Sequence, residues 1–179
     1  REKIASEAVE LLNKAVTLNP DQLEWKVKLA GALLQAGQRD LTSKVLNVIL
    51  QQKIDHPEVY FFKSRIESGK SAYQNLQKSL ILKPDAKSAL NNFGFWNLVA
   101  EKKFDAFIWY QRALVSEPTD VAIQWNHALG LLANGDLKNG WVAAKCRHLK
   151  PEMYIERLGL PPEWDGKDIN NGTLFVFQE

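Results

Sequence analysis

The chain has a single cysteine, Cys146, among 179 residues, which excludes an internal disulfide and any zinc site built on several thiolates. That usage fits a reducing compartment, and the cytoplasm is the expected location. No apolar run approaches the ~18 residues that cross a bilayer, so no membrane span is expected. There is no excess of one charge either. Lys and Arg total 23 against 21 Asp and Glu, a net +2, too even for the broad basic surface of a non-specific nucleic-acid binder. Nucleic acid is therefore set aside as a partner. A Gly-rich phosphate loop is also missing. With 45% apolar and 25% charged residues the composition excludes a disordered or collagen-like chain, and the length suits one compact unit or one plus a fragment.

What the sequence does have is a period. Pro84 and Pro118 stand 34 residues apart, as do Asn92 and Asn126, Gly94 and Ala128, Ala106 and Gly140, and Leu80 and Leu114. Carried backwards, the register places short side chains at Ala8, Thr42, Ala72, Ala106 and Gly140, spaced by 34, 30, 34 and 34, so one repeat has lost four residues. Within residues 88–118 two amphipathic stretches flank Glu101–Lys103. The first carries Leu90, Phe93, Gly94 and Asn97 at helical spacing, with Asn97 the polar exception, and the second carries Ala106, Tyr110 and Ala113. Gly94 and Ala106 suit the point where paired helices come closest, and the prolines suit helix boundaries. Helices are expected near 2–18, 22–35, 39–53, 57–68, 70–82, 86–100, 103–116, 120–133 and 137–149. Ile4, Val9 and Leu11 are expected to lack cover at the N-terminal end.

These residues resemble the tetratricopeptide repeat (TPR), a 34-residue helix-turn-helix. Trp25, Leu29, Ala30, Leu33, Gly37, Leu46 and Ile49 match one unit; Phe93, Gly94, Ala106, Tyr110, Ala113 and Pro118 a second; Trp125, Ala128, Leu131, Gly135 and Gly140 a third. Thr42 replaces the usual Ala, and the short unit around Tyr60 to Leu82 matches poorly. Residues 2–18 match only the second helix of a repeat, so the chain is expected to begin in mid-repeat. The resemblance implies an all-α fold, a right-handed superhelix of antiparallel helix pairs over residues 1–150, with a short non-helical C-terminal tail.

After Lys150 the helical period fades. Pro151, Pro161 and Pro162 with Gly159, Gly166 and Gly172 bring turn chemistry, and Thr173–Phe177 reads as a buried strand. Gly140-Trp141, then Pro162-Glu163-Trp164-Asp165-Gly166, then Thr173 to Glu179 resemble the passage from a bacterial TPR region into a GT-B glycosyltransferase domain of the heptosyltransferase type. Val142 to Arg147 and Asn171-Gly172 depart from that pattern. The resemblance implies that 151–179 form a linker and the first strand of a truncated transferase-like domain, and that a transferase parent carries the catalysis. The chain itself is expected not to be an enzyme, because a GT-B domain needs ~300 residues. No cofactor is expected.

The expected activity is protein binding. TPR relatives that grip extended peptides place an Asn before the Leu-Gly pair of successive repeats, and Asn92 and Asn126 hold that position, with Lys28 in the first unit. An amide can both donate to and accept from a peptide backbone. Asn91, Phe95 and Trp125 would complete the wall. The occupant could be a protein, an extended peptide, the chain's own C-terminal segment or a neighbouring chain; a purely structural oligomerisation scaffold is the alternative. Cys146 and His148, two residues apart, do not make a metal site. His127 is expected to be a packed side chain, and Asp165 to serve a turn.

Overall fold

The computed structural model describes residues 2–149, with side chains from Ile4 onward. Nine α-helices and a terminal 3₁₀ turn follow one another there: α1 (Glu2–Leu18), α2 (Leu23–Gln35), α3 (Arg39–Gln51), α4 (Pro57–Ile66), α5 (Gly69–Leu82), α6 (Lys87–Val99), α7 (Lys103–Ser116), α8 (Val121–Ala133), α9 (Leu137–Ala143) and the 3₁₀ turn Ala144–Leu149. Each helix lies against its neighbours in sequence, so the molecule is a stack of antiparallel pairs. Among the described residues no helix is long and apolar enough to cross a membrane. The expected linker and strand at 151–179 lie outside the described residues.

Short-range chemistry sets the helix ends. The Asp120 carboxylate accepts from the backbone N–H groups of Ala122 and Ile123 at 3.0 and 3.2 Å and starts α8. At α4, His56 Nδ1 accepts from the N–H of Glu58, and Pro57 fills the first helical position, where its missing N–H costs nothing. One turn recurs three times between paired helices. In it Gln38, Lys102 and Asp136 donate to the carbonyls of Leu33, Asn97 and Leu131 at 2.9, 2.9 and 3.1 Å. The residue before each donor takes a positive φ: 73° at Gly37, 59° at Glu101 and 85° at Gly135. This is the Schellman ending, and glycine suits it because it has no Cβ to strain.

The core is a chain of local clusters rather than one centre. Val27 and Ala30 of α2 pack with Leu46 and Ile49 of α3 and Val59 of α4. Further on, Leu76 of α5 meets Ala89 and Phe93 of α6, and Leu90 of α6 meets Ala113 of α7 and Ile123 of α8. The short residues of the register, Thr42, Ala72, Ala106 and Gly140, are all buried on second helices. A Cβ on Gly94 would come within 2.6 Å of the Tyr110 ring, and one on Gly140 within 2.6 Å of the Leu132 side chain, so close approach demands glycine at both. Asn97, the polar exception, is buried and satisfied by donating to the Phe93 carbonyl one turn back at 2.8 Å.

Two expectations need correcting. Val9 is covered: it is 8% exposed and packs on Leu29, Ala32 and Leu33 of α2, whereas Ile4 and Leu11 are 72% and 67% exposed. Val9 and Leu11 lie two positions apart, so they project from different sides of α1, and α2 covers one of them. The ninth helix is α-helical only to Ala143 and finishes in 3₁₀ form, a common tightening at a helix end. The four missing residues also have a place. α4 has 10 residues where α2, α6 and α8 have 13, and its link to α5 is Glu67-Ser68, one residue shorter than the links at 36–38, 100–102 and 134–136.

Candidate functional site

The first helices of the successive pairs, α2, α4, α6 and α8, carry two neighbouring rows at matched positions. One runs Lys28, Phe62, Asn92, Asn126; the other runs Val27, Phe61, Asn91, Trp125. The structure joins the rows at one point. Asn126 Nδ2 donates to Asn91 Oδ1 at 2.9 Å, tying α8 to α6. Asn92 and Trp125 are half-buried beside this pair in sequence, and Phe95, one turn along α6 from Asn91, is 55% exposed. Lys28 is not brought to the asparagines. It stands on α2, two helix pairs away, in an exposed i,i+4 ion pair with Glu24 at 3.8 Å, a contact worth little in water.

Between α4 and α6 lies a feature that the residue pattern did not disclose. The backbones of α4 and α6 approach less closely than those of α2 and α4, and Phe61 of α4 packs on the cluster that Leu76 of α5 forms with Ala89 and Phe93 of α6. The gap is a cleft of about 410 Å³. Phe61 and Phe62 of α4, the first turn of α6 (Lys87, Ser88, Ala89) and Ser79 of α5 line it. Four ionisable side chains border it: Glu58, Arg65, Lys83 and Lys87. Lys87 is engaged by Glu117 at 2.9 Å and Asp120 at 4.0 Å; the hydrogen bond with Glu117 raises the lysine's pKa and lowers that of the glutamate. Arg65 and Lys83 are exposed and form no ion pair among the described residues.

Ser79 is the unusual member. It is 1% exposed, and its hydroxyl has no hydrogen-bond partner among the described residues. At the matching place α3 has Ile49 and α7 has Ala113, both fully buried and apolar. A hydroxyl left unpaired in such a place costs ~1–3 kcal/mol. The 30-residue spacing and the Phe61-Phe62 doublet were the signals in the sequence; which residues had been lost was not readable from spacing alone. Elsewhere, His127 is half-buried with its ring 5.5 Å from that of Phe107, and burial lowers its pKa. Cys146 and His148 are half-buried in the 3₁₀ turn.

Residues 2–66 match the family model described as Tetratricopeptide repeat. The fold is a TPR superhelix. Over 83% of this chain it is similar to a thermophilic TPR protein of Thermus thermophilus, with a TM-score of 0.62, 18% identity and 84% of that chain covered. It is similar to a crystal structure of MamA over 79% of this chain and 85% of that one, with a TM-score of 0.61 and 15% identity. It also matches yeast Tom70 over 84% of this chain and 33% of that one, with a TM-score of 0.60 and 15% identity. No curated protein matches the sequence. The TPR pairs of this chain therefore share their architecture with proteins whose sequences differ at more than four positions in five.

Proposed function

We propose that this chain is a non-catalytic scaffold that binds an extended segment of a partner protein along its first helices. The observation that carries the reading is the Asn126–Asn91 bond, which holds two amides side by side across α6 and α8. Each keeps hydrogen-bonding capacity beyond that bond, and Asn92 adds a third amide, so the wall can pair with main-chain N–H and C=O groups in turn. Phe95 offers apolar surface within a turn. The TPR architecture supports a protein partner over a small molecule.

The wider setting we propose is a larger glycosyltransferase-like protein whose repeats present an acceptor or a second subunit. This is supported by the order of Gly140-Trp141, Pro162 to Gly166 and Thr173 to Glu179 in the sequence. The test of the binding reading is a screen of extended peptides by fluorescence anisotropy, followed by the Asn92→Ala/Asn126→Ala double variant. At ~0.5–1.5 kcal/mol per hydrogen bond, losing one bond at each site weakens the selected peptide roughly five- to a hundredfold. Unchanged affinity in a folded double variant removes the asparagines from the site.

A further inference from the structure

We propose that the outer stripe of α7, formed by Phe104, Ile108 and Val115, is a self-association face through which two copies of this chain pair, α7 antiparallel to α7 about a two-fold axis. The stripe stands on a second helix, away from the first-helix asparagines Asn91, Asn92 and Asn126, so the proposal is independent of the peptide-binding reading.

The repeat supplies its own control. At the places of Phe104, Ile108 and Val115, α1 has Ser6, Glu10 and Thr17 and α3 has Asp40, Lys44 and Gln51, while α5 is apolar only at the last, Ile81. In α7 the three are 66%, 37% and 77% exposed. They recur at i, i+4 and i+11, one side of a helix, opposite the Ala106, Tyr110 and Ala113 that α7 buries. α7 stands inside the stack with α6 and α8 both packed on it, so this exposure is not that of a terminal helix. An apolar stripe that the fold leaves uncovered, where sister helices are polar, marks a surface that meets another molecule.

Shape and charge select a second copy as that molecule. Beside Val115 lies a hollow of about 350 Å³, lined by Pro84, Leu90, Ile108 and Val115 among others. Phe104 stands outside it, ~16 Å along the helix from Val115. A second copy turned end for end brings its Phe104 over Val115 of the first, and the reverse holds by symmetry, so each ring meets the other copy's hollow. Asp105 and Arg112 line one flank of the stripe; both are exposed, and neither forms an ion pair among the described residues. Arg112 lies over the Trp109 ring at 4.7 Å and donates to the Pro84 carbonyl at 3.2 Å, which leaves guanidinium N–H groups for a carboxylate. In an antiparallel pair Asp105 of each copy meets Arg112 of the other. A parallel pair sets this flank beside the Phe107 and Leu114 flank of the second copy and gives neither charge a partner.

The test is sedimentation equilibrium of the whole chain from about 1 μM to about 1 mM, where a monomer–dimer equilibrium is expected. Phe104→Ala, on an exposed position, should weaken the dimer about tenfold or more. Asp105→Arg and Arg112→Glu each set like charges at both flank contacts and should weaken it by a similar factor. An equimolar mixture of these two variants should restore the dimer, because every contact then joins an arginine to an acid. Circular dichroism checks that each variant keeps its helices. Should Arg112→Glu lose them, Asp105→Arg decides alone: its dimer should strengthen as salt screens the repulsion, while that of the parent weakens. A parent that stays monomeric up to about 1 mM leaves the stripe to a different protein and overturns the proposal. So does a dimer that Phe104→Ala leaves unchanged, or a mixture of the two charge variants that associates no better than either alone.

Discussion

Gly94 and Tyr110 form a lock between α6 and α7: the ring of the tyrosine occupies the space into which any side chain at position 94 would grow. The same ring reaches across to α8, where a Cβ on Gly130 would meet it at 3.1 Å. Tyr110 is 2% exposed, so it has little freedom to move aside. One aromatic residue thus sets the spacing of three helices.

Gly94→Ala should destabilise the chain by about 1–3 kcal/mol, because a methyl group 2.6 Å from a buried ring forces the helices apart or the ring off its rotamer. Urea denaturation of the two proteins checks this. A midpoint equal to that of the parent would show that the α6–α7 contact yields freely.

Glu101→Gly should raise stability by about 0.5–1 kcal/mol. Glu101 holds a φ of 59° at the place where the equivalent turns use Gly37 and Gly135, and left-handed backbone strains any residue with a Cβ. The greater freedom of glycine in the unfolded chain offsets part of the gain. Thermal unfolding provides the measurement, with Gly37→Glu as the reciprocal variant expected to lose stability.

Burial pushes the Tyr110 phenol up to about 12 from an ordinary value of 10.0. The folded protein therefore keeps a proton that the unfolded chain gives up. This contribution is fully present below pH 10 and fades as the pH rises towards 12, a loss of about 2–3 kcal/mol at the upper end. Tyr60, raised chiefly by its 2.5 Å hydrogen bond to Asp55, acts in the same direction. Denaturation midpoints followed from pH 9 to 12, in the parent and in Tyr110→Phe, should show the steeper fall in the parent.

Much of this fold is legible because a repeat states its period many times over. Thr42, Ala72, Ala106 and Gly140 mark buried contact points, and the helix boundaries follow from prolines and turn residues within a few positions. Pairing across the stack is harder to read. The bond between Asn91 and Asn126 joins residues in adjacent rows rather than equivalent ones, so matching positions by register alone pointed to Asn92 with Asn126. The cleft escaped for a related reason. A lost segment changes the spacing wherever within a repeat it falls, but only a loss from α4 and its turn opens a gap beside α6. Ser79 likewise reads in sequence as an ordinary polar residue of a helix, and its isolation emerges only from what surrounds it.

The joint between α5 and α6 also has a mechanical meaning. In a rod whose segments touch only their neighbours, bending concentrates where the contact is narrowest. The blocks α1 to α5 and α6 to α9 meet here through α5 against α6, with Phe61 of α4 packed on the same cluster. The α5–α6 joint is therefore one place where the curvature of the rod can change, and a segment laid in the cleft, touching α4 and α6 at once, would hold it at one angle.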